Sequence, residues 1–568
     1  MNNFKEKALL WCNSPFDIQT QKDVKILLND PSKLEDAFYK ELEFGTGGMR
    51  GIMGVGTNRI NKYTLAKATQ GLSSFLKSKF KKDRIKVVIA YDCRHNNELF
   101  SKIVSDVLLA NNIDVYLYSS LRTTPQLSFS VRHLNANCGI VLTASHNPSE
   151  YNGFKVYWDH GGQLTPPIDK ELMDKINETT FEEILYETKG RSSNIINKDL
   201  DDAFYNTCIN LGIQENIKSR DIKIVYTPIH GSSILSIPEV LKKVGYESLI
   251  VVNEQAKPDG AFPTVKSPNP EDPEALKMAI DLAKIENADL VIGTDPDSDR
   301  LGVAVKNIQG KFTILNGNQT MLIMAHFLLS NREENKLTKP EDYIASTVVS
   351  SSVMEKVANR FGVKFITTLT GFKWIGKEIE KRKTQNFVFG GEESFGYLIG
   401  DKIRDKDAVT SSLLICEIAS MLKAKNKNLY DYMIDCYKLY GPHKERLLSY
   451  KLDGITGELK IKEMMRNFRD NPPIKLNNQP VIIIEDYLNS TKLKVSTKHK
   501  YKINLPKSDL IIFTLKDNST IAVRPSGTEP KIKFYFSSTS KSFVNNDWEL
   551  TEKELDSKID SIIFDLNL

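Results

Sequence analysis

Five short apolar runs, IKVVIAY (85–91), CGIVLT (138–143), IKIVYT (222–227), DLVIGT (289–294) and FVFG (387–390), constrain this chain more than any other feature. They alternate with longer segments of helical period, which is how βαβ units and largely parallel sheets read. In open α/β sheets ligands collect outside the carboxyl ends of the strands. Each unusual polar cluster of this sequence falls just after such a run, so those loops are where chemistry is expected.

At 568 residues the chain is long enough for roughly four domains. With 40% hydrophobic and 26% charged residues it is an ordinary folded composition rather than a disordered one. The net charge of +5 is small, and the lysines are spread out, so nothing calls for nucleic acid or an anionic membrane. No apolar run approaches the roughly 20 residues that cross a bilayer, and the N-terminus lacks a signal-peptide core. A cytoplasmic location is expected. Six scattered cysteines, with no CxxC pair, make a disulfide scaffold or structural zinc a poor reading. Irregular polar stretches at 187–199, after 303–318 and at 438–448 suggest segments of 1–200, 201–315, 316–437 and 438–568. The last reads as α+β: a helix at 457–470, strands broken by turns, and a terminal helix.

The richest segment is DLVIGTDPDSDR, with Asp295, Asp297 and Asp299 at alternate positions after an apolar strand. Three crowded carboxylates repel unless a cation sits among them, and oxygen ligands without Cys or His suit Mg²⁺. An EF-hand is excluded, because Arg300 stands where its glycine is needed and Lys306 where its glutamate is needed. A solvated acidic turn is the commoner fate of Asp-rich loops, but this strand is too apolar for an incidental surface loop.

In NCGIVLTASHNPSEYNGFKVYW, Ser145 and His146 follow a strand and precede an Asn-Pro turn. Alone, the serine reads as a helix cap or turn residue. The GxSxG elbow of hydrolases is missing, which argues against acyl transfer. A hydroxyl at a strand end can carry a phosphoryl group if a metal and cationic donors neutralise it, and His146 and Lys155 are the local donors. STIAVRPSGTEPKIKFYF sets Arg524, Ser526, Gly527 and Thr528 on a loop between strands, a docking site for an unreactive phosphate or a plain turn. GGEESFGYLIGDKIRDKDA offers Glu392, Glu393 and Ser394 for sugar hydroxyls; neighbours in sequence seldom flank a scissile glycosidic bond. ELEFGTGGMRGIMG presents Arg50 among Gly45, Gly47, Gly48, Gly51 and Gly54, which would let backbone and guanidinium approach a phosphate. Two near-misses are set aside. TGFKWIGKE has P-loop spacing but Glu378 where Ser or Thr must bind magnesium, and GxGxxG fails at Arg50.

Taken in order, TASHNP, DPDSDR, GEESFG and RPSGTEP resemble the α-D-phosphohexomutase family over nearly the whole chain. LEFGTGGMRG, TLTGFKWIG and GEESFG are similar to its longer phosphoglucomutase/phosphopentomutase branch. The resemblance implies four domains around a central cleft: three related α/β domains and a smaller C-terminal α+β domain that closes over substrate. It implies that Ser145 carries the phosphoryl group and, with Asp295, Asp297 and Asp299, holds Mg²⁺, while Arg50, His146 and Lys155 stabilise or shuttle charge. Thr370, Gly371, Glu392 and Ser394 would line the sugar pocket, with Arg300 and Lys402 also on substrate. Arg524, Ser526, Gly527 and Thr528 would anchor the second phosphate. Lys402 stands where glucose-specific relatives carry a histidine, which leaves the proton carrier and the preferred sugar open.

The implied reaction interconverts a sugar 1-phosphate and 6-phosphate, glucose first, through a bisphosphate, with glucose 1,6-bisphosphate as primer. Mannose and pentose phosphates are alternative substrates. Outside mutases, the alternatives are a Mg²⁺-dependent sugar phosphatase or an inactive phosphosugar-binding scaffold. A monomer or weak homodimer is expected, with a phosphosugar as the partner.

Overall fold

β-branched and aromatic side chains lose freedom in a helix but sit well on a pleated sheet. The runs marked in the sequence accordingly form strands at Lys86–Tyr91, Cys138–Leu142, Ile224–Thr227, Leu290–Thr294 and Asn386–Glu392. The computed structural model describes residues 3–45, 48–81, 84–213, 217, 219–452, 454–526 and 531–568. These contain four sheets, of seven, five, four and eight strands. Two units arise: Met1–Asn316, Phe372–Phe389 and Ser394–Asn426 make the first, and Gly317–Gly371, Gly390–Glu393 and Lys427–Leu568 the second.

The first unit carries two sheets with parallel centres. In one, Cys138–Leu142, Lys86–Tyr91, Asp114–Tyr118 and Asn194–Ile196 run parallel in that order. Tyr151–Trp158 returns antiparallel beside Cys138–Leu142, Gly48–Ile52 follows it, and Phe44–Gly45 ends the sheet. Side chains alternate across a strand. Cys138, Ile140 and Leu142 join a core with Leu65 and Leu72 of helix Lys62–Lys79 and Val104 and Leu108 of helix Asn97–Ala110. Gly139 faces the other way: a Cβ there would lie 2.5 Å from Val131 and 3.0 Å from Leu127 of helix Thr124–His133. The missing side chain lets that helix lie close on the sheet.

In the second sheet Leu290–Thr294, Ile224–Thr227 and Leu249–Val251 run parallel in that order. The hairpin Leu301–Lys306 and Phe312–Leu315 extends it antiparallel from Leu290–Thr294. Ahead of both sheets, helices Asn3–Leu10, Ile18–Leu27 and Pro31–Phe38 gather around Trp11, Phe16 and Phe38. Trp11 stacks on Phe16 with ring centroids 4.3 Å apart and meets Tyr63 and Phe181 edge-on.

In the second unit, Asp342–Thr347 and Lys364–Thr368 pair in parallel. The C-terminal sheet is antiparallel in the order His443–Lys451, Lys531–Thr539, Thr520–Pro525, Ile511–Leu515, Gln479–Asp486, Thr491–Lys494, His499–Lys502, with Lys475–Leu476 beside Gln479–Asp486. Helices Gly454–Asp470 and Trp548–Asp565 close its core through Ile461, Met465 and Ile559. This is the α+β segment expected from the sequence. Among the described residues no helix is long and apolar enough to cross a membrane.

One carboxylate lies deep in the first unit. Glu417, on the buried helix Ala408–Lys423, accepts the Ile213 backbone N–H at 2.8 Å just past helix Lys198–Leu211. Burial pushes its carboxyl from 4.5 up to about 7, against the N–H of Ile213 and the charge of Arg220. A group whose folded value is raised contributes stability below its unfolded value and loses it as pH climbs through the folded one. Glu417→Gln is therefore expected to gain on wild type by roughly 2–3 kcal/mol between pH 5 and pH 8, read from urea unfolding at both values. A difference that stays flat with pH would contradict this assignment.

Candidate active site

Two loops at strand carboxyl ends carry the site, and both lead into antiparallel return strands. The first joins Cys138–Leu142 to Tyr151–Trp158, whose register sets Lys155 opposite Val141, with Lys155 only 1% exposed. The second joins Leu290–Thr294 to Leu301–Lys306 and holds DPDSDR. Pro296 is clamped there, its carbonyl accepting both the N–H of Ser232 at 2.9 Å and its hydroxyl at 2.7 Å. Ser145 and Ser298 both take left-handed backbone, at φ 52° and 62°. Such residues are sparse outside constrained sites.

The loops meet through side chains. Ser145 Oγ donates to Asp295 Oδ2 at 2.7 Å across a sequence separation of 150 residues, and lies 3.2 Å from His146 Nδ1. Lys155 Nζ donates to Asp297 Oδ2 at 2.6 Å and to Asp299 Oδ2 at 3.3 Å. Thr124 Oγ1 donates to Asp297 Oδ2 at 2.8 Å. The other oxygen of Asp295 accepts the N–H groups of Asp299 and Arg300 at 3.1 and 3.0 Å. Lys406 Nζ reaches Asp299 Oδ2 at 2.9 Å.

Burial pushes the Asp295 carboxyl well above the usual carboxylate range, and repulsion from Asp297 and Asp299 pushes the same way. Burial acts on Asp297 too, but Lys155 beside it holds it below that range. For Asp299, burial and Asp297 push up while Lys406 and Lys155 more than offset them. One oxygen of each aspartate lies within 4.8 Å of those of the other two. Asp297 Oδ1 and Asp299 Oδ1 are buried with no hydrogen-bond partner among the described residues. Orphaned carboxylate oxygens in an all-oxygen donor set fit a hard divalent cation.

Arg50 sits opposite Gly153 in the neighbouring strand and donates from Nη1 to Asn147 Oδ1 at 3.0 Å. Gly48, at φ 96°, approaches the Lys155 backbone so closely that a Cβ would lie 3.0 Å from Lys155 Cα. Its freedom thus seats Lys155 as well as Arg50. Gly47 lies outside the described residues. Arg300 pairs with Glu271. Ser394 is half-buried ahead of Phe395, whose carbonyl accepts the Leu301 N–H at 2.9 Å. Lys402 is exposed, and its carbonyl accepts from Arg132 at 2.7 Å.

In the second unit, the buried Glu392 accepts the N–H of Gly371, at φ 111°, through Oε1 at 2.7 Å, and Thr370 Oγ1 is buried without a hydrogen-bond partner among the described residues. Glu393 takes different partners, the hydroxyls of Thr347 at 3.1 Å and Ser350 at 2.9 Å. Arg524 lies in strand Thr520–Pro525, and the Ser526 N–H donates to the Lys531 carbonyl at 2.7 Å. Gly527 and Thr528 lie outside the described residues.

Lys406, Thr124 and Glu271 were not singled out from the sequence. For Lys406 a signal existed: RDKD stands directly ahead of the apolar run AVTSSLLICEIASML, so charges there are drawn inward with the helix. Asp407 caps that helix by accepting the Val409 N–H at 2.9 Å.

Comparison with known proteins gives three matches to phosphoglucomutase/phosphomannomutase α/β/α domain models: domain I over residues 41–183, domain II over 202–310 and domain III over 316–440. A protein named phosphoglucomutase from Staphylococcus aureus strain MSSA476 is 38% identical over 528 residues, 92% of this chain and 94% of that one. The open form of the Paramecium phosphoprotein pp63/parafusin, a phosphoglucomutase, shares the fold with a TM-score of 0.67 at 18% identity, over 92% of this chain and 95% of that one. A phosphoglucomutase/phosphomannomutase family protein of Burkholderia thailandensis aligns with a TM-score of 0.65 at 18% identity, over 91% and 95% of the two chains.

If the aspartates are the cation's ligands, Asp297→Ala should weaken Mn²⁺ binding at least about tenfold in an EPR titration while leaving the circular dichroism spectrum unchanged. Equal binding by wild type and variant would exclude the cluster as the ligand set.

Proposed function

We propose that this chain, which belongs to the phosphoglucomutase/phosphomannomutase (α-D-phosphohexomutase) family and is an intramolecular phosphotransferase, interconverts glucose 1-phosphate and glucose 6-phosphate through a phosphorylated Ser145. The observation that carries the reading is the buried Ser145 hydroxyl directed onto Asp295 at 2.7 Å, inside a set of three aspartates and two lysines.

Phospho-Ser145 transfers its phosphoryl group to the free 6-hydroxyl of glucose 1-phosphate. The Oγ–P bond breaks and the O6–P bond forms. The hydroxyl proton passes to His146, whose Nδ1 lies 3.2 Å from Ser145 Oγ, and from there to the serine oxygen freed by the transfer. The resulting bisphosphate turns over, its 1-phosphate returns to Ser145, and no net phosphate is consumed. Such a loose transition state asks the protein mainly for positioning and charge neutralisation. Lys155, Lys406 and Arg50 supply fixed positive charge. Mg²⁺, which Asp295, Asp297, Asp299 and the phosphorylated Ser145 would hold, supplies electrophilic neutralisation of the phosphoryl oxygens. Glu392, Ser394, Thr370 and Gly371 are assigned to sugar hydroxyls, Arg300 and Lys402 to substrate. Arg524, Ser526, Gly527 and Thr528 are assigned to the phosphate that does not react. A sugar bisphosphate primes the serine.

The test is ³¹P NMR with Mg²⁺, trace glucose 1,6-bisphosphate, and glucose, mannose and ribose 1-phosphates in separate tubes. Signal should move from the 1-phosphate to the terminal phosphate fastest with glucose, without free phosphate, and Ser145→Ala should lose roughly 10³-fold or more. Growth of inorganic phosphate alone would replace the mutase reading with a phosphatase, and no movement with a binding scaffold. A faster mannose or ribose tube would reassign the substrate.

A further inference from the structure

The loop that presents Ser145 is held from behind by a side chain with no part in the chemistry above. Arg94 lies in the loop after strand Lys86–Tyr91, and its side chain is fully buried. Its guanidinium gathers four backbone carbonyls of one loop. Nη1 donates to Pro148 O and Tyr151 O, both at 2.7 Å, and Nη2 donates to Ser145 O at 2.7 Å and to Asn147 O. Phe262 backs the guanidinium, with its ring centroid 5.1 Å away.

Asp92 completes the clamp. Arg94 Nε lies 3.5 Å from Asp92 Oδ2, and the Arg94 N–H donates to Asp92 Oδ1 at 2.9 Å. Asn97 Nδ2 donates to the same Oδ1 at 2.7 Å. Asp92 Oδ2 also accepts the Thr143 hydroxyl at 2.6 Å, and that hydroxyl oxygen accepts the Ser145 N–H at 2.7 Å. Ser145 is therefore gripped at both of its backbone polar groups, carbonyl by Arg94 and N–H through Thr143. These are the two peptide groups that a residue at φ 52° must have fixed to stay there. An ion pair serving only to fill the core would not need all its free donors on one loop. A lysine could not replace this arrangement, because an ammonium is a point charge with three protons, whereas the planar fork reaches four acceptors in fixed directions.

We infer that Arg94, with Asp92 and Thr143, is the positioning residue that sets the backbone of Ser145 and thereby aims its hydroxyl at the aspartate cluster. The inference rests on the phosphoserine reading of Ser145. It assigns Arg94 to the phosphoryl-transfer step and not to substrate affinity, since Arg94 touches only protein.

The test is Arg94→Lys, which keeps a positive charge beside Asp92, assayed next to wild type and Ser145→Ala. The expected result is a kcat about 100-fold lower, KM for the sugar phosphate within threefold of wild type, and a lower unfolding midpoint from the carbonyls left unpaired, with the protein still folded at the assay temperature by circular dichroism. Labelling of Ser145 by ³²P glucose 1,6-bisphosphate should slow by the same factor as kcat. A kcat within threefold of wild type, or a kcat loss matched by an equal rise in KM, overturns the inference. Should Arg94→Lys fail to fold, Thr143→Val, which removes only the hydroxyl holding the Ser145 N–H, is judged by the same criteria. If Ser145→Ala retains turnover, the phosphoserine reading falls and takes this inference with it. If Ser145→Ala is inert while Arg94→Lys keeps its kcat, the inference alone falls.

Discussion

Three buried carboxylates, with an oxygen of each within 4.8 Å of those of the other two, are the constraint on which the first unit depends. Two like charges 4 Å apart repel by about 4 kcal/mol at an effective dielectric of 20, and burial removes the water that would screen them. The chain compensates with Lys155 from the first sheet and Lys406 from the segment ahead of helix Ala408–Lys423. The compensation is uneven. Asp297 and Asp299 each have a lysine within 2.9 Å, whereas among the described residues Asp295 accepts from neutral donors alone, the Ser145 hydroxyl and two backbone N–H groups. The aspartate nearest the serine is thus the one whose charge is least balanced by protein, which is why its carboxyl is pushed upward while its neighbours are held down. The same imbalance leaves room for cationic charge next to the Ser145 hydroxyl, which the proposed mechanism has carry the phosphoryl group.

Sheet topology makes this meeting possible. A parallel strand ending at a loop delivers one side chain to the carboxyl edge, but an antiparallel return strand delivers a second from the opposite direction. Tyr151–Trp158 does this for the first sheet, bringing Lys155 back beneath the loop that begins with Ser145. The hairpin after Leu290–Thr294 does it for the second, so that all three aspartates sit on one tight connection between paired strands. Gly48 and Gly139 let the flanking strand and helix approach closely enough for the arrangement to be packed rather than open.

The features legible in the sequence are those written in local pattern: the apolar runs, the hairpin after 303, the late helix and terminal helix, and the alternating aspartates. What was not legible depends on long-range packing. The three N-terminal helices carry few periodic apolar positions, and their order comes from aromatic contacts with Tyr63 and Phe181 far along the chain. Glu392 and Glu393 look like one carboxylate pair in sequence, yet adjacent residues at a strand end point opposite ways. Glu392 therefore meets the Gly371 N–H and Glu393 the hydroxyls of Thr347 and Ser350. Lys402 and Lys406 are likewise indistinguishable by composition; only the buried helix behind the second explains why it faces Asp299 while the first faces solvent.

The loops that bear Ser145 and the three aspartates are each fixed from behind by buried residues. Arg94 and Thr143 hold the backbone of Ser145, while Ser232 holds the carbonyl of Pro296 and backbone N–H groups hold Asp295. The contact between the serine hydroxyl and Asp295 is therefore a join between two loops that are each already rigid. Phosphoryl transfer needs little covalent help from protein and much positional precision, and a displacement of about 1 Å can cost 10²-fold in rate. Under the proposed transfer, the positions that matter to rate extend beyond groups touching substrate, to buried residues that fix a carbonyl or an N–H. This fold keeps those residues behind each loop: Arg94 in the loop after strand Lys86–Tyr91, Thr143 just past strand Cys138–Leu142, and Ser232 on the turn that packs against Pro296.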